Sequence, residues 1–474
     1  MSRIGIRSGA LPSESRDWRS PDGILEEILE SGIELVLCPR PEVPLVTVTF
    51  LWEGGALLDA PDHSGQAQTT AELLVKGTKT DDAITLATRF EFWGADFETW
   101  AGRECLGITL SAPRRVFPQL WDLVQDVFES SRFSASELHK QQKRAIAAIR
   151  VAKDGDPRSL LPVYADSWIY GSRSPYGHPV GGDEATLGQL EPGALRRFWF
   201  QHLRDRRAVV SVAGDFDPDE IRTSLTRIFH SRKGHAPGGP DPVFPLEPPI
   251  GTRGLFIDRP GSTQSYFWMG GLGVDCRYPG RIGLELVQSV LGGQFNSLLN
   301  RRLRIEEGLT YGAHAGYTLP SFRGVSYLTS YAPMERTRRA MDATFDVLRR
   351  TREEGLLEAD LKAGRLYLKG QEAFRYETTN QWSLRLALRR FHHLALADWA
   401  GYAGALDQVS SAQAGAILRE VFPAPEDCFL VVIGDARLLL RDLSDLGEWS
   451  LESLSSPGFG PVRPQSVQTS RGLG

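Results

Sequence analysis

The sequence predicts an α+β chain of two tandem homologous domains, each a mostly antiparallel sheet packed with helices. Three observations predict it. Residues 50–59 read FLWEGGALLD and residues 266–275 read YFWMGGLGVD, so Trp52/Trp268, Gly54/Gly270, Gly55/Gly271 and Asp59/Asp275 recur 216 residues apart. Residues 208–215 (AVVSVAGD) are echoed by 428–435 (CFLVVIGD), with Gly214/Gly434 and Asp215/Asp435 spaced by 220. Two anchors at nearly one offset mark a duplication. Between the halves, GHAPGGPDPVFPLEPPIG (234–251) is too rich in Pro and Gly to propagate a helix or a central strand. Strand-like and helix-like segments alternate without a G-x-G-x-x-G or P-loop, which favours helices on an antiparallel sheet over a doubly wound one.

The expected organisation is an N-terminal extension over 1–22, a domain over 23–235, a linker over 236–252, a domain over 253–445 and a flexible tail over 446–474. Residues 1–18 are polar and lack the apolar core of a signal peptide. The run 45–51 (LVTVTFL) alternates and is β-branched, so it reads as a strand, as does 104–111 (ECLGITLS). Val116, Leu120, Leu123, Val124 and Val127 recur at helical spacing, giving a helix over 116–130. A second helix covers 136–152 with Ser134 or Ser136 as its cap, and a third covers 191–202 with Pro192 in its first turn. The tail is rich in Ser, Gly and Pro.

Composition excludes several function classes. Of 474 residues, 41% are hydrophobic, and 11 Trp, 12 Tyr and 22 Phe supply enough apolar surface for two cores, so extensive disorder is excluded. A net charge of −5 gives no electrostatic grip on nucleic acid. No apolar run reaches the roughly 18 residues of a membrane helix; a cytoplasmic protein with no membrane or nucleic-acid partner is expected. Cys38, Cys105, Cys276 and Cys428 form no C-x-x-C pair, so they read as buried thiols in a reducing compartment. Among nine histidines no two lie four apart on a helix; His392 and His393 are adjacent, and His230 and His235 flank a loop. There is no G-x-S-x-G elbow. Spacing alone reveals no catalytic set.

Residues 54–78 (GGALLDAPDHSGQAQTTAELLVKGT) resemble the opening of the pitrilysin/insulinase-type metallopeptidases, in the branch that includes mitochondrial processing peptidase. Lys76-Gly77-Thr78 match the family's K-G-T, and Gly65 and Ala67 match the lead-in. The family's inverted zinc motif, H-x-x-E-H, falls on Gln68, Ala71 and Glu72, and its downstream glutamate ligand falls on Ala148. His63, just upstream, lies in a turn off the helix face. A zinc peptidase needs ligands for the ion and a carboxylate to take a proton from its water; the resemblance therefore implies a chain with no metal or other cofactor of its own.

Residues 291–317 (LGGQFNSLLNRRLRIEEGLTYGAHAGY) resemble the family's C-terminal signature. There an arginine and a tyrosine, here Arg304 and Tyr311, reach the zinc site of the facing half and hydrogen-bond the scissile carbonyl or its oxyanion. Gly308 suits the left-handed position that ends a helix and would turn Tyr311 into a strand beside Arg304. Guanidinium and phenol both donate toward developing negative charge. The plain reading stands beside this: arginine is favoured in a last helical turn, and tyrosine in strands. Tyr176-Gly177-His178-Pro179 with Gly181 resembles a further family stretch, in which His178 reads as a loop hydrogen-bonder.

The resemblance implies a half-clamshell that is inactive alone and pairs with a zinc-bearing homologous subunit, donating Arg304 and Tyr311 to the partner's site while an unfolded peptide is enclosed. Peptide would add as a strand along 96–100 or 105–110. The alternative is a catalytically inactive structural or binding protein with this fold, like the core proteins of the respiratory cytochrome bc complex.

Overall fold

A computed structural model of the chain describes residues 23–171, 173–230, 232 and 253–459; the expected extension (1–22) and linker (236–252) lie outside the described residues. The first sheet contains β1 (Leu25–Ile28), β2 (Glu34–Pro39), β3 (Leu45–Glu53), β4 (Asp96–Ala101), β5 (Cys105–Pro113) and β6 (Ala208–Gly214), in the order β1-β2-β6-β3-β5-β4. The second contains β7 (Gly254–Asp258), β8 (Gln264–Leu272), β9 (Ala313–Tyr317), β10 (Val325–Pro333), β11 (Phe429–Gly434) and β12 (Trp449–Ser453), in the order β12-β7-β11-β8-β10-β9. Both are mostly antiparallel; β2–β6 is parallel in the first, and β7–β11 and β7–β12 in the second. The α+β duplication is thus as the sequence predicts.

Strands β2–β6 correspond to β7–β11 in order, but one of the two sequence echoes is out of register. Phe50 pairs with Ile108 and Val210, and Met269 pairs with Leu328 and Leu430, so Phe50 and Met269 are equivalent. Gly214 and Gly434 are true equivalents: their carbonyls accept from Arg40 N–H and Arg259 N–H, each at 2.7 Å. Trp52 corresponds to Gly271 rather than to Trp268, because their partners Leu106 and Ser326 are equivalent. An odd slip turns a side chain to the other face of a sheet. Trp52 accordingly packs at 5.2 Å on both Trp199 and Phe128 within its own domain, whereas Trp268 faces the other domain.

The sixth position of each sheet is filled from opposite ends of the chain. β1 pairs antiparallel with β2, and β12 pairs parallel with β7. The expectation of a flexible tail from 446 is corrected here: 449–453 form a strand, and Leu454 and Phe459 are buried. The signal was hidden because Ser450 and Glu452 face inward while Leu451 is exposed. This strand is held by its backbone ladder with β7 and by Trp449 against Phe256.

Helices α1 (Gln66–Leu74), α2 (Ala83–Phe92) and α3 (Phe117–Ser130) cover the face of the first sheet that presents Val46, Val48, Phe50 and Trp52. Ser134, not Ser136, caps α4 (Ala135–Asp154) by accepting from Glu137 N–H at 3.3 Å. Pro192 opens a helix over Pro192–Arg197 that continues as a wider turn over Phe198–Leu203. The other faces of the two sheets are covered by exchange. Helix α5 (Leu161–Tyr170) packs Leu161, Tyr164 and Trp168 on Tyr266, Trp268, Val431 and Ile433 of the second sheet. The helix Thr379–Phe391 crosses in the opposite direction, and its Ser383 Oγ donates to Thr49 Oγ1 and Ser211 O of the first sheet, both at 2.8 Å. All four cysteines are free and buried, and burial pushes the thiols of Cys38 and Cys276 up to about 11. Among the described residues no helix is long and apolar enough to cross a membrane.

Candidate functional site

Two places carry the residues singled out by sequence. The first is built on α1. Its start is fixed by the buried carboxylate of Asp59, which accepts from Gly65 N–H at 3.0 Å and Ala67 N–H at 2.9 Å. Burial outweighs these bonds and pushes Asp59 up to about 8. Gly65 caps the helix at φ 92°, and a Cβ there would meet Gly182 Cα at 2.9 Å. The Tyr176–Gly181 stretch is therefore a buttress for α1: Ser64 Oγ donates to Pro179 O at 2.6 Å, and Arg103 donates to Pro175 O and His178 O, each at 3.0 Å. Past the helix, Gly77 at φ 111° closes the Lys76–Thr78 turn and accepts from Arg132 N–H at 3.0 Å.

Gln68, Ala71 and Glu72 share one face of α1, as residues three and four apart must. Ala71 is fully buried in the core, while Gln68 and Glu72 are half-buried. Gln68 Oε1 accepts from Ala101 N–H of β4 at 2.8 Å, and Gln68 Nε2 donates to Glu72 Oε1 at 2.7 Å. Glu72 Oε2 in turn accepts from Gln141 Nε2 of α4. Gln141 was missed by sequence reasoning, and no local pattern on this polar helix points to it. Ala148 lies about two turns further along α4, exposed, and lines a cavity of about 490 Å³ together with Gln68 and Glu72.

These residues do not fit a zinc ion. None of Gln68, Ala71, Glu72 and Ala148 offers an imidazole, and both oxygens of Glu72 are taken by amide donors. Among the described residues no three His, Cys, Asp or Glu side chains converge on a point where a metal could bind. His63 pairs with Asp62 at 2.9 Å in the turn before α1, and His230 contacts Arg227 O at 2.8 Å. His392 lies 3.3 Å from Ser321 Oγ and 3.9 Å from Glu104, and burial holds it below the usual imidazole range. His235 lies outside the described residues.

The second place is the segment after the Gly292-Gly293 pair. Leu298–Asn300 is helical and widens over Arg301–Glu306, and Gly308 at φ 61° then reverses the chain as expected. β9 begins at Ala313, so Tyr311 precedes the strand and does not open it. The turn is held by Thr310 Oγ1 donating to Gly312 O at 3.0 Å, by Ser330 Oγ donating to Gly312 O at 2.9 Å, and by Asn300 Oδ1 accepting from Ala313 N–H at 2.9 Å. Tyr311 projects from this braced turn with 79% exposure. Arg301 pairs with Asp360 at 2.8 Å and Arg302 with Glu307 at 2.8 Å. Arg304 has no carboxylate partner among the described residues; its guanidinium stacks 4.5 Å from the ring centre of exposed Phe295. Neither Arg304 nor Tyr311 lines the Gln68–Glu72 cavity, so one chain does not bring the two places together.

Of the two strands considered for peptide addition, β4 is the sheet edge, while β5, which contains 105–110, lies between β3 and β4 and has no free edge. The Ala101 N–H of β4 is already held by Gln68.

Comparison with known proteins places this architecture. The model of insulinase (peptidase family M16) matches residues 36–167, and that of the peptidase M16 inactive domain matches 189–368. The chain belongs to the insulinase-type M16 peptidase family. It is 24% identical over 359 residues to a Bacillus subtilis protein named uncharacterized zinc protease YmxG, spanning 74% of this chain and 84% of that one. It is 20% identical over 360 residues to the Helicobacter pylori protein named non-peptidase homolog YmxG, spanning 74% and 81%. Among solved structures, a peptidase M16 inactive domain from Pseudomonas fluorescens matches with a TM-score of 0.77 at 20% identity, over 87% of this chain and 98% of that one. As an M16 chain it has the duplicated scaffold, with two six-stranded sheets.

Proposed function

We propose that this M16 chain is the zinc-less subunit of a two-chain metallopeptidase of the cytoplasm, inactive alone. In this reading it faces a zinc-bearing homologue across a chamber that encloses an unfolded peptide. The partner's zinc supplies the activated water. Arg304 and Tyr311 donate hydrogen bonds to the carbonyl oxygen as it gains negative charge, which is worth most in a site closed to water. The observation that carries the reading is the contrast along a single turn: Arg301 and Arg302 are neutralised by carboxylates, whereas Arg304 is held by the face of Phe295 and has no carboxylate partner among the described residues. Ring stacking of this kind fixes the guanidinium plane without neutralising its charge.

The test is co-expression with a homologue that carries intact H-x-x-E-H, followed by zinc analysis and cleavage of a quenched peptide library. Cleavage by the pair alone, with zinc in the partner only, supports the reading. Equal cleavage by the partner without this chain overturns it and leaves a structural or binding protein with a peptidase fold.

A further inference from the structure

The sheet faces that receive the exchanged helices carry different residues at equivalent positions. By their ladder partners, Thr49, Gly107, Thr109 and Ser111 of the first sheet correspond to Trp268, Tyr327, Thr329 and Tyr331 of the second. The small residues of the first sheet lie under the thirteen-residue helix Thr379–Phe391, whose first residue reaches Thr47 Oγ1 at 2.8 Å, and Gly107 is roofed by the Trp100 ring. The rings of the second sheet lie under α5, which has ten residues. Beside the N-terminal end of α5 the rings are left uncovered, and the gap is a cavity of about 410 Å³. Trp268 and Tyr327, stacked at 5.7 Å with their planes 23° apart, form its floor, and Leu161 and Pro162 of the first domain form one wall. Its polar groups are few. Arg158, in the single turn Pro157–Leu160, is the one charged side chain among the described residues of the wall. Its guanidinium lies 4.8 Å from the centre of the Tyr331 ring, and Nε and Nη2 donate to Asp156, which leaves Nη1. His314 Nδ1 donates to Gly292 O at 3.1 Å, and burial holds the imidazole below its usual range. Its Nε2 is therefore an acceptor, with no partner among the described residues.

We propose that this cavity binds a small aromatic acid, with its flat ring against Trp268 and Tyr327, its carboxylate on Arg158 and a ring hydroxyl or N–H on His314 Nε2. Aromatic walls supply contact area, and a small number of placed polar groups fix the orientation of a ligand within it. A guanidinium edge recognises a carboxylate through charge-assisted hydrogen bonds. Because the walls come from both domains, the ligand would tie α5 of the first half to β9 and β10 of the second and stabilise the folded chain. The proposal concerns the chain by itself and holds whether or not it pairs with a zinc-bearing homologue.

The probe is 3-fluoro-4-hydroxyphenylacetate, titrated against the full chain and followed by fluorine NMR. Saturable binding is expected, and 4-methylphenol, a similar ring without the acid, should bind about tenfold more weakly when followed by its methyl proton line. Arg158→Met removes the charge and keeps an aliphatic contact to Tyr331, so it should weaken the probe by about tenfold and leave 4-methylphenol unchanged. Pro162→Trp, on the exposed rim, should close the cavity and abolish binding of both. Cooperative melting at the wild-type temperature identifies folded variants, and Thr329→Trp, which fills the cavity from the sheet, replaces Pro162→Trp if the latter fails that check. No binding by the wild type, equal binding of the acid and the phenol, full binding by Arg158→Met, or binding that survives the filled cavity overturns the proposal.

Discussion

The two places that the sequence singles out differ in how their polar groups are satisfied. At Gln68 and Glu72 the amides and carboxylate are tied to one another, to the Ala101 N–H and to Gln141. At Arg304 and Tyr311 the backbone is braced by several hydrogen bonds, while the two side chains have no acidic partner among the described residues. Internal hydrogen bonding stabilises a fold, and an uncommitted donor on a rigid turn is available to a ligand. The first place is part of the scaffold, and the second presents hydrogen-bond donors on a braced turn.

The comparison is broken most easily through Arg304. In the co-expressed pair, Arg304→Ala should lower kcat by about 10²–10³, with Tyr311→Phe losing less, while thermal melting of the isolated chain stays within about 0.5 kcal/mol of wild type. A large loss of stability would show that Arg304 is structural. The opposite is expected of Gln68→Ala, which leaves Ala101 N–H unpaired and should reduce unfolding stability by about 1 kcal/mol in urea titration without changing the cleavage rate of the pair.

Asp59 sharpens the contrast through pH. Its folded value of about 8 lies above the ordinary 3.8, so between these values the folded state holds a proton that the unfolded state has released. The stability it contributes is full below about pH 4 and is lost as pH rises toward 8. Asp59→Asn should therefore flatten the fall in melting temperature between pH 5 and 8; an unchanged slope would assign the dependence elsewhere. The smallest effect is expected at Arg301→Ala, an exposed ion pair with Asp360 worth about 0.2–1 kcal/mol, which should leave kcat of the pair unchanged and so confine the catalytic effect to Arg304.

Much of the fold was legible because duplication and strand chemistry are local signals. The Gly214/Gly434 echo marks equivalent strand ends, and the alternation of LVTVTFL marks β3. The Trp52/Trp268 echo misled because short similar strings can align three residues out of step, and only the ladder partners reveal which face each side chain takes. That Gln68, Ala71 and Glu72 share one face of α1 follows from helical spacing. The part played by Gln141 does not, since its contact to Glu72 joins two helices through the tertiary fold. β12 was invisible for a related reason: its buried residues are Ser450 and Glu452, so its composition reads as loop.

The exchanged helices also set the order in which this protein can be completed during synthesis. The sheet face around Thr47, Thr49 and Ser211 is covered by Thr379–Phe391. That helix leaves the ribosome only after most of the second domain has been made. At about 5–20 residues per second, the first sheet waits on the order of ten to thirty seconds with this face bare. The face it exposes meanwhile mixes threonine and serine hydroxyls with Val36, Leu51, Val209 and Ala213, where its counterpart on the second sheet carries the bulkier Tyr266, Trp268, Val431 and Ile433. The aromatic face belongs to the half that is born second, when its cover, α5, already exists.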